Sequence, residues 1–415
     1  MPAFTALFIA FLLADVITRG WIALRQIKHV GRKQNEVPEQ FRDRISLHSH
    51  QRAAAYTRAK VLLGLFETLV SAALLIALTL LGGLQWLNVH LARLISNDLL
   101  FDLALIGSVF AIVALISLPF SLWRKFKIEA RFGFNRVTPR LFALDLLKTT
   151  LLSLVFGIPL LAGILWLMTD AGPSWGWWAW LLWVGFNFLL LYLFPTVIAP
   201  LFNTFTRLDN PDLQARIRAL AKQCNFAFDD LFVMDGSRRS AHGNAYFTGF
   251  GKARRIVLFD TLINKLSPDE IEAVVAHELG HYQHKHILKR MLINFFLALL
   301  FFQTLAWLSQ QVWFYLDLGV IPVFGRSYNG LALILFFLVT PTFTFWVSPF
   351  VNRLSRRDEY EADRFAAQHS NASSLVSALV KLYNDNAATL TPDPIHSAFY
   401  DSHPPAVQRI QQLQQ

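Results

Sequence analysis

The sequence has 415 residues, of which 54% are hydrophobic and only 16% are charged, whereas soluble domains carry about 25% charged residues. This composition excludes a disordered chain and argues against a soluble enzyme, because so much apolar surface needs a bilayer to cover it. The net charge of +10 would suggest nucleic-acid binding in a soluble protein. In a membrane protein, basic residues gather in cytoplasmic loops, so we expect no nucleic-acid partner.

Seven apolar stretches are long enough to cross a bilayer, since about 20 apolar residues span its hydrocarbon core. They are Ala3–Leu24, Val61–Gly83, Leu99–Trp123, Thr149–Thr169, Trp175–Ala199, Met291–Val312 and Gly330–Phe350. In the first stretch, Asp15 and Arg19 are spaced to pair on one helix face. In the fifth, Pro195 and Pro200 are expected to kink or end the helix. The sequence thus predicts a mainly α-helical, polytopic membrane protein with the lipid bilayer as a partner.

Basic residues alternate between the two sides of these spans. Nine Lys or Arg lie in residues 25–60 and seven in residues 124–148, whereas the three linkers on the opposite side hold two together. By the positive-inside rule, the two basic segments are cytoplasmic. Seven spans then place residues 201–289 and 353–415 on the cytoplasmic side as well.

The spans divide the chain into four expected regions. Residues 1–200 hold the first five membrane helices with their basic cytoplasmic loops, and residues 201–290 form a cytoplasmic segment. Residues 291–352 hold the sixth and seventh membrane helices, and residues 353–415 form a cytoplasmic C-terminal segment. Both cytoplasmic segments are short, so we expect one joint α+β domain seated on the membrane helices.

The segment 201–290 shows the pattern of a small α+β unit. Residues 211–223 predict an amphipathic helix, and the runs Leu231–Met234, Asn244–Thr248 and Arg255–Phe259 predict short strands. A further helix is predicted to begin at Ser267–Glu270, which is a capping box with proline at the first helical position.

This last helix carries His277–His281, which reads H-E-L-G-H. The two histidines lie one turn apart on one face, so both imidazoles can bind a single Zn²⁺. Glu278 lies beside the metal position, where it can accept a proton from a zinc-bound water. His284 follows on the same face and is interpreted as a packing residue or an outer neighbour of the site. The alternative interpretation is that His277 and His281 are two surface histidines on an ordinary helix.

A catalytic zinc needs a third protein ligand and one open position. The downstream stretch Arg356–Asp363 is the best candidate, because Glu359 and Asp363 are four residues apart and share a helix face. One can bind the metal while the other accepts the N–H of a metal-bound imidazole. Spacing alone leaves Glu361 open as an alternative to Glu359.

These motifs together resemble the type I CAAX prenyl protease family, which are integral-membrane zinc metallopeptidases of the gluzincin kind. The resemblance rests on Phe132–Arg136, Asn244–Gly249, Arg255–Leu262, His277–His281, Ser355–Asp363 and Ser402–Pro404. It implies a barrel of seven long helices around a large chamber, with one zinc near its cytosolic end. It also implies that Glu359 is the third zinc ligand and that Asp363 supports the site from the same helix. Arg409 is a weaker candidate to pair with a carboxylate nearby.

The resemblance also suggests how a substrate binds. It implies that Asn244 and Ala245 lie on an edge strand beside the zinc, and we expect the substrate to lie extended against Asn244, Ala245 and Tyr246. His403 falls where the family has a histidine near the active site, and it is a candidate to stabilise the oxyanion. The alternative is that His403 is only a turn residue. Asp358 departs from the family pattern, which has a bulky apolar or aromatic residue there.

We therefore expect a zinc metalloendopeptidase with zinc bound by His277, His281 and Glu359 and with Glu278 as general base. The resemblance implies a peptide or protein substrate from which a C-terminal tripeptide is removed after a prenylated cysteine. The alternatives are a quality-control protease for misfolded membrane proteins and, from another class, a transporter or receptor with structural zinc. The short chain favours a bacterial inner membrane over an endoplasmic reticulum membrane, with the active site toward the cytoplasm.

Overall fold

The structure, a computed structural model, describes residues 2–228, 230–248 and 255–414, so Gly249 of the Asn244–Gly249 motif lies outside the described residues. The α-helices are α1 (Ala3–Lys33), α2 (Leu47–Leu78), α3 (Gly83–Leu94), α4 (Asp98–Trp123), α5 (Pro139–Asp170), α6 (Trp175–Leu193), α7 (Ala199–Phe202), α8 (Pro211–Gln223), α9 (Asp260–Ile263), α10 (Pro268–Gln283), α11 (His286–Leu308), α12 (Val312–Leu316), α13 (Asn329–Thr344), α14 (Ser348–His369), α15 (Ala372–Asp385), α16 (Pro394–Tyr400) and α17 (Ala406–Leu413). The strands are β1 (Phe205–Arg207), β2 (Asp230–Met234), β3 (Ala245–Thr248) and β4 (Arg255–Phe259).

Within the described residues, seven helical segments are long and apolar enough to cross a membrane, which confirms the predicted number. They are Ala3–Lys33, Leu47–Leu78, Asp98–Glu129, Pro139–Asp170, Gly172–Phe202, His286–Leu308 and Asn329–His369. In six of them, at most 28% of the most apolar window is buried inside the protein. The remaining apolar surface needs lipid to cover it, so the chain is a multi-pass membrane protein.

The helices extend beyond the apolar stretches from which they are predicted. α2 begins at Leu47 rather than near Val61, because Ser46 caps its first turn. α5 likewise begins at Pro139, directly after the capping residue Thr138. Hydropathy marks only the part of a helix that lies in lipid, whereas capping residues determine where the helix starts.

The features singled out within the first and fifth spans are confirmed. Arg19 Nε donates to Asp15 Oδ1 at 2.8 Å, one turn apart on α1. Around Pro195, the fifth span widens into a π-helical turn at Phe194–Ile198, and the helix ends soon after Pro200. A proline lacks the N–H that the regular α-helical hydrogen bond requires, which accounts for the local change.

The four strands form one mixed sheet in the order β1-β2-β4-β3. β2 and β4 are parallel, whereas β1 pairs antiparallel with β2 and β3 antiparallel with β4. The three predicted strands are confirmed. β1 was not predicted, because its three residues are too few to show an alternating pattern. β3 lies at the edge of the sheet and, among the described residues, pairs with β4 alone.

The sheet shares an apolar core with α8, α10 and α15, and we call these elements together with α14 and α17 the sheet unit. The buried core residues that these helices and strands contribute include Leu213, Ile217, Leu231, Ile256, Leu258, Ile271, Val275, Leu279, Leu375 and Ala378. On α10, the apolar residues recur every fourth position, so one face of the helix packs in the core. A different face of α10 can therefore carry the residues of the site.

The seventh span continues into the sheet unit. A 3₁₀ turn at Phe345–Val347 links α13 to α14, and the helical stretch Asn329–His369 is 41 residues long. The expected boundary between residues 352 and 353 therefore falls inside α14. As a result, the helix that carries Glu359 is directly attached to a membrane helix.

Candidate active site

The H-E-L-G-H helix α10 starts at the predicted capping box. Ser267 Oγ accepts a hydrogen bond from Glu270 N at 3.4 Å, and the Glu270 carboxylate accepts one from Ser267 N at 2.7 Å. Ser377 and Lys381 of α15 also donate to this carboxylate, at 2.7 and 2.8 Å. The first turn of α10 is thereby fixed to α15.

Farther along α10, Gly280 permits a close approach to α14. A Cβ at this position would lie 2.9 Å from the Cα atom of Ala362, which is closer than real Cβ atoms come. This contact brings the two histidines of the motif opposite Glu359.

Three potential metal ligands converge between α10 and α14. His277 Nε2 and His281 Nε2 are 3.3 Å apart. Glu359 Oε1 lies 3.3 Å from His281 Nε2, and Glu359 Oε2 lies 3.5 Å from His277 Nε2. Glu359 is 3% exposed, so its carboxylate needs a positive partner to be stable there.

The donor set fits a divalent metal ion. Two imidazole nitrogens and one carboxylate oxygen are ligands of the type found at catalytic sites, and three such ligands leave one position open. Glu359 Oε2 is buried and accepts no hydrogen bond within the described part of the chain, as expected of an atom that a cation would satisfy. Glu361, the alternative ligand, lies instead in a second group with His286 and Asp358.

Asp363 lies next to the imidazole of His277, with Oδ1 2.9 Å from Nδ1. Its carboxylate also accepts two hydrogen bonds from Arg409 on α17, at 2.8 and 2.6 Å. Both residues are buried. The paired guanidinium fixes the carboxylate, and the carboxylate in turn can hold His277 with its Nε2 toward the other ligands.

The carboxylates make this pocket attractive to a cation. Burial lowers the pKa of His277, but Asp363 and Glu359 outweigh it and raise the pKa to about 9. An environment that stabilises an imidazolium also stabilises a divalent metal ion. Burial raises the pKa of Glu278, although the neighbouring histidines oppose that effect. A carboxylate with a raised pKa is better suited to accept and return a proton near neutral pH.

His403 faces the same site from the segment between α16 and α17. Its Nε2 lies 3.5 Å from Glu359 Oε1, and its side chain is 62% exposed. A cavity of about 510 Å³ opens beside it, lined also by Tyr383 and Pro404. His403 is therefore close to the metal ligands and still accessible to a bound substrate.

The predicted substrate strand lies at the sheet edge. Asn244 is exposed and precedes β3, whereas Ala245 is buried and Tyr246 is half-buried. The Asn244 side chain accepts a hydrogen bond from Ala245 N at 2.9 Å. β3 packs against α10 on one side, so this edge adjoins the helix that carries the H-E-L-G-H motif.

Sequence reasoning missed His286. His284, which was interpreted as a packing residue or an outer neighbour of the site, is exposed, but its ring stacks on that of His286 with 5.5 Å between centroids. His286 is buried, and its Nδ1 lies 3.0 Å from His281 Nδ1. The chain turns between α10 and α11 at Lys285, whose φ is +56°. Helical periodicity does not continue through such a turn, so no spacing rule could have placed His286 against His281.

Comparison with known proteins identifies the family. Residues 26–204 match a family model described as CAAX prenyl protease N-terminal, five membrane helices, and residues 207–415 match peptidase family M48. A CAAX prenyl protease 1 homolog of Arabidopsis thaliana is 34% identical over 413 residues, covering 98% of this chain and 96% of that protein. The chain belongs to the CAAX prenyl protease family.

Other members agree over similar lengths. CAAX prenyl protease 1 of Saccharomyces cerevisiae is 30% identical, covering 97% of this chain and 93% of that protein. The crystal structure of S. mikatae Ste24p is 30% identical with a TM-score of 0.91, covering 100% of this chain and 99% of that one. The family resemblance and the helical membrane fold are thus confirmed. Membership makes this protein a membrane metalloendopeptidase, and such an enzyme uses a metal cofactor.

Proposed function

We propose that this CAAX prenyl protease family member binds one Zn²⁺ between His277, His281 and Glu359 and uses Glu278 as its general base. The observation that carries the proposal is the convergence of these three donors beside Glu278, with Glu359 Oε2 buried and lacking a hydrogen bond within the described residues. Zinc is the metal that two imidazoles and one carboxylate bind in hydrolases of this kind.

When bound there, Zn²⁺ supplies Lewis-acid chemistry, polarising the scissile carbonyl and lowering the pKa of water. Glu278 accepts a proton from the attacking water and later donates it to the leaving amine. The raised pKa of Glu278 suits both steps. Asp363, held by Arg409, keeps His277 oriented.

The substrate backbone adds to the sheet as a further strand along Asn244, Ala245 and Tyr246. Within the described residues, the outer edge of β3 has no strand partner, which supports this binding mode, since main-chain groups of an edge strand can pair with an extended peptide. His403 donates to the oxyanion of the tetrahedral intermediate, and its exposed position beside the metal ligands supports that role.

The substrate is a membrane-associated protein with a prenylated cysteine near its C terminus, from which a tripeptide is released. Two observations support this substrate: the relatives of similar length are CAAX prenyl proteases, and the site adjoins the seventh membrane span through α14. Degradation of misfolded membrane proteins uses the same chemistry and is the alternative. A transporter or receptor with structural zinc is set aside, because the chain belongs to a family of metalloendopeptidases. In addition, the group of potential ligands at this site has three members among the described residues, whereas a structural zinc site typically has four.

The protein lies in a bacterial inner membrane or, in a eukaryotic host, in the endoplasmic reticulum membrane, and its active site faces the cytoplasm. The alternation of basic residues supports this orientation, since residues 25–60 and 124–148 carry 16 Lys or Arg between them. The sheet unit lies on the same side as these segments in a seven-span topology.

The test compares three substrates with purified protein in detergent: a farnesylated CAAX peptide, the same peptide without the prenyl group, and an unfolded membrane-protein fragment. We expect release of the C-terminal tripeptide from the farnesylated peptide, at a rate well above that of its unprenylated control. Cleavage of the unfolded fragment alone would replace the proposed substrate with the quality-control alternative.

A further inference from the structure

His281 has a partner on the side of its ring that faces away from the other proposed ligands. His281 Nδ1 lies 3.0 Å from Nδ1 of His286, the first residue of α11. The other nitrogen of His286, Nε2, lies 3.1 Å from Glu361 Oε2. The His286 side chain is 1% exposed, so water cannot replace either contact. His281, His286 and Glu361 therefore form a continuous chain of three side chains.

The direction of these hydrogen bonds follows from counting protons. Two ring nitrogens 3.0 Å apart form a hydrogen bond only when one of them carries a proton. If His281 uses Nε2 to bind zinc, its own proton is on Nδ1, and His281 must donate to His286. His286 then accepts at Nδ1 and carries its proton on Nε2, where Glu361 accepts it. The three groups are thus compatible with zinc in one arrangement of protons.

The same region could be read as a second metal site, because His286, Asp358 and Glu361 lie close enough together to hold a cation. Two observations oppose this reading. Both carboxylates already have cationic partners: Arg290 donates to Asp358 at 3.1 Å, and Arg357 donates to Glu361 at 3.2 Å.

The second observation concerns the proton on His286. A metal on His286 Nε2 would move the proton of that ring to Nδ1. There it would oppose the Nδ1–H of His281, and two N–H groups cannot hydrogen-bond to each other. A second metal would thus weaken the hold on the first.

We propose that His286 is a positioning residue that keeps His281 in the tautomer presenting Nε2 to zinc, with Glu361 as the acceptor that fixes the proton of His286. The inference rests on the proposed zinc site. It assigns a role to Glu361 other than ligand, and it accounts for the buried position of a histidine that contacts none of the three donor atoms. Mutation of a residue that hydrogen-bonds to a metal-bound histidine typically lowers metal affinity by about 10–100-fold.

The test measures zinc affinity by chelator competition in full-length protein that carries Glu278→Gln, so that the result does not depend on cleavage. His286→Leu removes the acceptor at similar volume, whereas His286→Asn places an amide oxygen near the position of Nδ1. We expect His286→Leu to weaken zinc binding by about 10–100-fold and His286→Asn to restore most of the loss. Arg357→Ala is the matched control, because it removes the exposed partner of Glu361 and leaves the chain of three side chains in place.

Zinc affinity equal to that of the parent Glu278→Gln protein in both His286 variants would overturn the inference. The same loss of zinc affinity in His286→Leu and His286→Asn would also overturn it, because it would indicate that His286 acts by packing alone. Zinc content falling from two equivalents to one in His286→Leu would also overturn it, in favour of a second metal site. If His286→Leu does not fold, Glu361→Leu and Glu361→Gln repeat the comparison, with Gln retaining the acceptor. Failure of the proposed function gives a different result, namely cleavage that persists in the Glu278→Gln protein.

Discussion

Gly280 packs against Ala362 so closely that a Cβ on Gly280 would lie 2.9 Å from the Ala362 Cα atom. The contact joins the helix of the H-E-L-G-H motif to the helix that carries Glu359. The distance between these two helices decides whether two imidazoles and a carboxylate can reach one metal ion.

The first prediction is that Gly280→Ala separates α10 from α14. Overpacking of this kind typically costs about 1–3 kcal/mol, and here it also moves Glu359 away from the histidines. We expect a lower melting temperature in detergent together with weaker zinc binding. Gly157→Ala is the matched control, because a Cβ at Gly157 meets nothing within 4 Å. Wild-type zinc affinity in Gly280→Ala would show that the close approach does not set the site.

The second prediction concerns the third ligand. Glu359→Ala removes one of three donors, so we expect the purified protein to lose its equivalent of zinc after dialysis against a weak chelator. Glu272→Ala changes a carboxylate on α10 that pairs with Arg216 outside the site, and it should retain zinc. Full retention of zinc in Glu359→Ala, measured by elemental analysis, would move the ligand assignment to another carboxylate.

How far the site could be predicted depends on whether its residues share one helix. His277, Glu278 and His281 lie within a single turn, so helical spacing alone brought them together. Spacing alone left Glu359 and Glu361 open, and only the family resemblance favoured Glu359. In the structure the two project in different directions, because residues two apart on a helix are about 200° apart around its axis. One faces the H-E-L-G-H motif, and the other faces His286.

The fold shows the same limit. Hydropathy located the seven spans, because lipid imposes a minimum length on apolar helices. It did not show α3 and α12, which are short helices outside the spans. Nor did it show that α13 leads directly into α14. The apolar pattern ends near Phe350, but the helix continues as an amphipathic one to His369.

The third prediction tests His403 as an oxyanion donor. His403→Ala should lower kcat by about 10²–10³-fold, as loss of one such donor does, while zinc content and KM change little. His90→Ala is the control, since His90 is exposed on α3 and its ring hydrogen-bonds within its own helix, to the Trp86 carbonyl. An unchanged kcat for His403→Ala would leave His403 as a turn residue before Pro404.

The fourth prediction concerns pH and the anchoring of α10. Burial raises the pKa of Glu270, but hydrogen bonds from Lys381, Ser267 and Ser377 outweigh it and hold the pKa below its ordinary value. A carboxylate whose pKa is lower in the folded than in the unfolded state stabilises the folded protein at pH values above the unfolded pKa, which is about 4.3 for Glu. That stabilisation is lost as the pH falls through the lower folded value.

Glu270→Gln retains the capping box but lacks the charge. We therefore expect its melting temperature to be lower than that of wild type at neutral pH. The difference in melting temperature should shrink as the pH falls below about 4. Lys381→Met, which removes the cationic partner, should show the same pattern. Melting curves in detergent across the acid range measure both, and a gap that stays constant would contradict the assignment.

The proposed mechanism is tested most directly when zinc content and cleavage are measured together in wild type and Glu278→Gln. Glu278 is placed as the base and not as a ligand, so its amide variant should keep one zinc per chain and lose cleavage of the farnesylated CAAX peptide. That result would separate metal binding from proton transfer. Persistent cleavage by a zinc-loaded Glu278→Gln protein would show that Glu278 is not the general base.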